Sequence, residues 1–222
     1  MKHTLEVDSV IKYYDNKMIV SDVYLHLETH EILGLLGRNG SGKSTLLKII
    51  FGLIGAETKF IRIDNTVKFN ESFTEISYLN QDSFIPQNFT VRKAISLSIQ
   101  KDRINLFHND TLLKPILNNK IGELSGGELR YLEIKLILEK ESKFVLLDEP
   151  YNGLSPIMIE EINKIIVEAS ARKGIIITDH NYENVIKIST KLILMKDGKT
   201  HQINKISELV DKGYLSHHFI ND

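Results

Sequence analysis

Eight residues, Gly37-Arg38-Asn39-Gly40-Ser41-Gly42-Lys43-Ser44, follow the pattern Gly-x4-Gly-Lys-Ser/Thr. The chemistry this spacing supports is the holding of a polyphosphate. Glycines at Gly37, Gly40 and Gly42 let the backbone turn so that amide groups, including those of Asn39 and Ser41, face inward around phosphate oxygens. A helix opening at Lys43 aims the positive end of its dipole at the same place. Lys43 neutralises the terminal phosphates, the Ser44 hydroxyl is a ligand for Mg2+, and Thr45 bonds nearer the first phosphate. A chance match in a chain this long is about one in a hundred at average residue usage, so accident is set aside.

Farther along, Phe144-Val145-Leu146-Leu147-Asp148-Glu149-Pro150 places two carboxylates just past an apolar run. That is the sheet edge where open α/β folds bind ligands. Asp148 suits Mg2+ held through water, and Glu149 suits a general base taking a proton from a water that attacks the last phosphate. Alone the pair reads as a polar strand end. Coupled to the phosphate loop it reads as a Walker B motif.

A third run, Leu124-Ser125-Gly126-Gly127-Glu128, precedes the helix that leads to that strand. Ser125 and Glu128 have the spacing of a capping box. Capping does not require two glycines, and bare N–H groups at a positive helix end form a second anion site. With this run the sequence resembles the ABC (ATP-binding cassette) ATPase family, whose signature at this position is LSGGQ or LSGGE.

The resemblance extends from about residue 4 to residue 205 and implies ATP as substrate and Mg2+ as cofactor. It further implies a head-to-tail dimer, with itself or with another ABC ATPase subunit. In such a dimer the Gly37–Ser44 loop of one subunit and the Leu124–Glu128 segment of the other enclose each ATP. Matched residue by residue, Tyr14 looks like the aromatic that stacks on adenine, with Tyr13 as the rival. Gln81 resembles the glutamine that reaches Mg2+ and the attacking water, and His180 the histidine that contacts the γ phosphate. Where the family has Leu-Asp, this chain reads Leu154-Ser155, which puts the usual cross-dimer contact in doubt. Thr178-Asp179-His180-Asn181 and Glu133-Ile134 are similar to ATPases of branched-chain amino-acid import and lipopolysaccharide export, without choosing a substrate or direction.

The same resemblance implies a separate transmembrane permease as partner, with the chain on the cytoplasmic face and touching the membrane only through that permease. Phe84-Ile85-Pro86 and Phe89 are apolar residues in an expected exposed loop. They either form part of the docking surface or pack the helical subdomain. The alternative function is a nucleotide-switched module on ribosomes or DNA. Such relatives carry two cassettes or long coiled coils, and neither is visible here. A sensor without hydrolysis is disfavoured because Lys43, Asp148, Glu149 and His180 are all present.

Positioning these residues needs a sheet that delivers loops to one edge. Thr4 to Tyr13 and Met18 to Leu27 read as two strands of an antiparallel hairpin turning at Asp15-Asn16-Lys17. Ile32 to Leu36 is a buried strand feeding a helix from Lys43 to about Phe51. Lys59 to Ile63 and Ile76 to Leu79 are short strands, and Thr90 to Asn119 reads as short helices broken near Asn109 and Pro115. A helix from Gly126 to about Lys140, the strand ending at Leu147, a helix from Pro156 to about Arg172 and the strand Ile175 to Ile177 alternate as a parallel sheet requires. Lys191 to Lys196 and Lys199 to Ile203 flank Asp197-Gly198, a hairpin signal, before a last helix over about Lys205 to Lys212. His217-His218 reads as a solvated pair.

The expected class is therefore α/β: a P-loop core with a mainly parallel sheet, an N-terminal antiparallel β subdomain and a small helical subdomain at approximately 84–122. All 222 residues form one ABC ATPase domain in this reading. With 28 basic and 29 acidic residues the net charge is -1, so no overall positive field attracts nucleic acid, and none is expected as partner. The absence of cysteine removes disulfides and thiolate chemistry and fits a reducing compartment. No secretory signal is expected ahead of the first strand, and no apolar run approaches the roughly 18 residues that cross a bilayer.

Overall fold

The computed structural model describes residues 2–68 and 74–216. The His217-His218 pair lies outside them. Strand β1 (Thr4–Tyr14) turns through Asp15-Asn16, both left-handed, into β2 (Lys17–Val20), after which β3 (Tyr24–Glu28) pairs antiparallel with the first half of β1. The continuous strand expected from Met18 to Leu27 is thus two strands. Asp22 takes a φ of 46° and the Ser21 amide donates to the Gly198 carbonyl, 2.8 Å, instead of continuing the ladder. Ser9 makes the matching kink in β1, with a φ of 53°.

Next come β4 (Ile32–Leu36), α1 (Lys43–Phe51), β5 (Thr58–Ile63) and β6 (Thr66–Val67), the last pair folding on Asp64-Asn65, both left-handed. Sequence reading misses β6, whose two residues are too few to show alternation. Strand β7 (Ile76–Leu79) leads to α2 (Val91–Ser98) and α3 (Ile104–His108), which ends at Asn109 as predicted; Pro115 instead lies within a short 3-10 turn, Lys114–Ile116, whose first turn needs no proline N–H. Then follow α4 (Gly126–Leu138), β8 (Phe144–Asp148), α5 (Pro156–Ser170), β9 (Gly174–Thr178) and α6 (Tyr182–Ile188). Helix α6, seven residues long, is also missed, being shorter than the window in which helical periodicity shows. The chain continues through β10 (Lys191–Lys196) and β11 (Lys199–Ile203), turning on left-handed Asp197 and Gly198, to α7 (Ser207–Asp211).

Strands β10, β4, β9, β8 and β7 run parallel in that order, and β11 adds an antiparallel edge. The near-continuous apolar runs of β4, β8 and β9 follow from burial on both faces. Leu33, Leu35, Phe144, Leu146 and Ile176 face α1 and the antiparallel sheet. Ile32, Leu36, Val145, Leu147, Ile175 and Ile177 face the other way, toward α4 and α5. The period-two alternation of each strand therefore builds two cores at once.

The helical excursion after β7 is tied at its ends: Ile121 N donates to Phe89 O, 2.8 Å, and Val91 N to Asn119 O, 3.0 Å. Val91, Ile95, Phe107 and Leu113 join the α4 and α5 core. Of the apolar loop residues ahead of α2, Ile85 is buried and Phe89 packs against that core, whereas Phe84 is 46% exposed.

Candidate nucleotide site

Strand β4 ends at Leu36 and delivers Gly37 to the parallel sheet's carboxyl edge. Gly42, at φ 103°, is the N-cap of α1. A Cβ there would lie 2.8 Å from Met195 Cε and 3.0 Å from Ile19 O, in a conformation only glycine adopts freely, so the loop closes at this residue. Lys43 is buried, and its ammonium donates to Gly37 O, 2.7 Å, and Arg38 O, 3.2 Å. Burial lowers its pKa, with the Glu149, Asp148 and Asp179 charges acting the other way. One of its three donors is left for a phosphate. Ser41 Oγ, in the same loop, is buried without a partner.

Strand β8 ends with Asp148 fully buried. Its carboxylate accepts from Ser44 Oγ and from Tyr78 Oη, each at 2.9 Å. Burial raises the Asp148 pKa, and the two hydroxyl donors oppose that rise. Glu149 follows at φ 50°, a left-handed conformation that costs on the order of 1–3 kcal/mol in a non-glycine residue. Its amide donates to Thr178 O, 2.8 Å, and its carboxylate lies 2.8 Å from His180 Nε2. Asp179, buried, accepts from Tyr151 N, 2.7 Å, and Asn181 N, 2.9 Å, which locks this turn to the His180 turn.

One cavity of about 450 Å3 is lined by Tyr14, Asn39, Gly40, Gly42, Lys43, Ser44, Thr45, Gln81, Glu149 and His180. Asp148 sits beneath it through Ser44. Tyr13, the rival of Tyr14, does not line it, and neither do Gly37 and Ser41; Ser41 lines a separate cavity with Arg38, Asn39 and Gly40. Leu124, Ser125, Gly126, Gly127 and Glu128 do not line it either. They form the start of α4, where Ser125 Oγ accepts from Glu128 N, 3.3 Å, and Glu128 accepts from Ser125 N, 2.8 Å. Ser155 caps α5, accepting from Met158 N, 3.4 Å, so serine serves the local cap where a carboxylate was expected.

The donor set fits Mg2+. Ser44 and Asp148 are hard oxygen donors, and no cluster of three or more His, Asp or Glu among the described residues forms a protein-only metal cage. Mg2+ suits one carboxylate and one hydroxyl when phosphate oxygens and water complete its shell.

Sequence reading misses two residues of this site. Tyr78 lies in a buried strand and reads as core. Arg130 goes unremarked within the run of α4, although it shares a helix face with Glu133, Ile134 and Ile137, and a charge pair on an apolar face was the available signal. Tyr78→Phe tests the first. Removing the hydroxyl that orients Asp148 is expected to weaken the Mg2+ dependence of turnover about tenfold, with metal-free ATP affinity unchanged. Mg2+ titration of turnover checks it.

The chain is similar to known proteins along most of its length. A family model described as ABC transporter matches residues 20–152. The lipopolysaccharide export system ATP-binding protein LptB of Haemophilus influenzae is 32% identical over 211 residues, covering 88% of each chain. LptB of Acidithiobacillus ferridurans is 29% identical and covers 100% of this chain and 98% of its own. Among solved structures, the ATP-binding cassette MJ1267 of an ABC transporter superposes with a TM-score of 0.82 at 22% identity, over 94% of each chain, a likeness of fold. A nucleotide-free ATP-binding cassette from an ABC transporter gives 0.81 at 20% identity, over 99% of this chain and 100% of its own. A phosphate loop, an acid pair at the sheet edge and a capped glycine signature thus meet in a chain that belongs to the ABC transporter family as an ATP-hydrolysing, ATP-binding subunit.

Proposed function

We propose that two copies of this chain, or one copy and another ABC ATPase subunit, hold Mg2+ and ATP at two composite sites, and that hydrolysis drives transport through a separate transmembrane permease. One observation carries this reading. The chain has two phosphate-suited helix N-termini, at α1 and α4, and only the first lines the cavity with Glu149 and His180. Among the described residues nothing lies within 4 Å of where a Cβ would stand on Gly126, so they give no reason for that glycine. A second copy's phosphate approaching the α4 N-terminus does.

In this reading adenine stacks on Tyr14, and the triphosphate runs along the Gly37–Ser44 amides. Lys43 turns from Gly37 O and Arg38 O to the β and γ phosphates. Ser44, Asp148 and Gln81 would hold Mg2+, which when bound would supply positive charge against the phosphates. Glu149 takes the proton of the attacking water, and His180 holds Glu149 and the γ phosphate in register. Ser125 to Glu128 of the other subunit close the site and exclude water. The segment at approximately 84–122 is the proposed helical subdomain within a single domain, and exposed Phe84 is its proposed contact with the permease.

Among the described residues no helix is long and apolar enough to cross a membrane. In this reading another polypeptide crosses the membrane and this chain sits on its cytoplasmic face. Affinity capture of the native chain from membranes is expected to bring down a multi-span protein; capture with ribosomes instead contradicts the transport role. Tyr14→Ala is expected to raise the KM for ATP about tenfold, in line with the stacking worth of one aromatic on a base, with kcat little changed. Steady-state kinetics measures both, and an effect of that size from Tyr13→Ala instead exchanges the two tyrosines.

A further inference from the structure

Arg130 and Glu133, one turn apart on α4, are both buried and both outside the nucleotide cavity. The Arg130 guanidinium spends its donors almost wholly on backbone. Nη2 donates to Asp148 O, 3.1 Å, and Glu149 O, 3.0 Å, and Nε to Pro150 O, 3.4 Å. Nη1 donates to Asn80 O, 2.9 Å, the carbonyl just before Gln81, and to Glu133 Oε2, 3.4 Å. The other Glu133 oxygen accepts from Phe84 N, 3.2 Å, three residues past Gln81. A buried arginine is the side chain whose rigid, planar fork can hold several acceptors at once.

Two segments are therefore fastened to one ion pair. The loop carrying Gln81 is held on both sides, at Asn80 and at Phe84. The acid turn is held at three successive carbonyls, including that of Glu149, whose left-handed backbone persists only because its surroundings fix it. Phe84, with its backbone amide on the Glu133 carboxylate, is itself partly exposed to solvent.

We infer that Arg130 and Glu133 are positioning residues that connect the Phe84 loop to the backbone of Glu149, so that a push on Phe84 alters the placement of the catalytic carboxylate and nucleotide binding alters the placement of Phe84. This rests on the reading of Glu149 as general base and of Phe84 as a docking residue. A buried pair that served packing alone needs no bonds to both segments. The connection differs from a catalytic role because neither side chain reaches the cavity.

The chain contains no tryptophan, so Phe84→Trp supplies a single indole reporter. Its emission is expected to change when a non-hydrolysable ATP analogue and Mg2+ bind. Glu133→Gln, which keeps shape and loses charge, and Arg130→Met, which keeps length and loses all donors, are expected to abolish that change. Both are expected to lower kcat roughly tenfold to a hundredfold, the scale of a small misplacement at a reacting centre, while the KM for ATP stays within about twofold. Retained kcat, a retained indole response in either variant, or a KM that rises in proportion as kcat falls overturns the inference. Should both variants fail to fold, hydrogen exchange at the Phe84 amide of the unmutated chain decides: protection that shifts with nucleotide supports the connection, and protection indifferent to nucleotide refutes it. Failure of the general-base reading shows separately, as turnover surviving Glu149→Gln, and leaves the fluorescence readout intact.

Discussion

Glu149→Gln is expected to leave ATP binding in place, to lower turnover by roughly two to four orders of magnitude, the range a general base supplies, and to accumulate an ATP-bound dimer. The substitution is nearly isosteric. Glutamine accepts the same left-handed backbone at φ 50° with the same Arg130 bond on its carbonyl, and its amide still reaches His180 Nε2, now 2.8 Å from Glu149. What disappears is the ability to take a proton. None of the groups proposed to hold phosphate, Lys43, Ser44 or the loop amides, is altered, so affinity is expected to persist while the release step stalls. Phosphate release and size-exclusion chromatography with ATP and Mg2+ read the two effects. Turnover close to that of the unmutated chain removes Glu149 from the base role.

Gly126→Asp is expected to separate the fold of the chain from the function of the pair. Gly126 is the first residue of α4, and a Cβ there meets nothing within 4 Å among the described residues. A carboxylate at a helix N-terminus favours the helix dipole by about 0.3–1 kcal/mol, so thermal stability is expected to hold or rise slightly. ATP binding to the single chain is expected to be unchanged, because this residue does not line the cavity of Tyr14, Lys43 and His180. In a composite site the same carboxylate faces a second chain's γ phosphate, replacing attraction by repulsion between like charges. Turnover is then expected to fall by about a hundredfold or more, the scale seen when one donor to a developing charge is lost. Normal turnover in a folded Gly126→Asp protein places the α4 N-terminus outside the reaction.

Much of this was legible in the sequence because the chemistry is local. The Gly37–Ser44 loop, the Asp148-Glu149 turn and the Ser125–Glu128 cap are each a short run of consecutive residues, and backbone and side-chain requirements point the same way in each. The parallel strands were legible because burial on both faces leaves uninterrupted apolar runs. What escaped depends on contacts distant in sequence. The break between β2 and β3 depends on the Gly198 carbonyl, which competes for the Ser21 amide. Tyr78 becomes a site residue only because β7 lies beside β8 and turns its hydroxyl onto Asp148. Arg130 matters through carbonyls 18 to 50 residues away, which no spacing rule reveals. Ser155 departs from the Leu-Asp expected after Leu154 by family resemblance, and its cap on α5 shows what the residue does within one chain.

In the proposed pair, each ATP is held by α1 of one chain and α4 of another. The most direct measurement mixes two inactive proteins, Lys43→Ala and Gly126→Asp, and assays ATP hydrolysis. A head-to-tail pair made of one of each holds one site with both lesions and one with neither. Random pairing then restores about a quarter of the unmutated rate if the sites act independently. Activity no greater than the sum of the two proteins assayed apart, under conditions where dimers form, contradicts the claim.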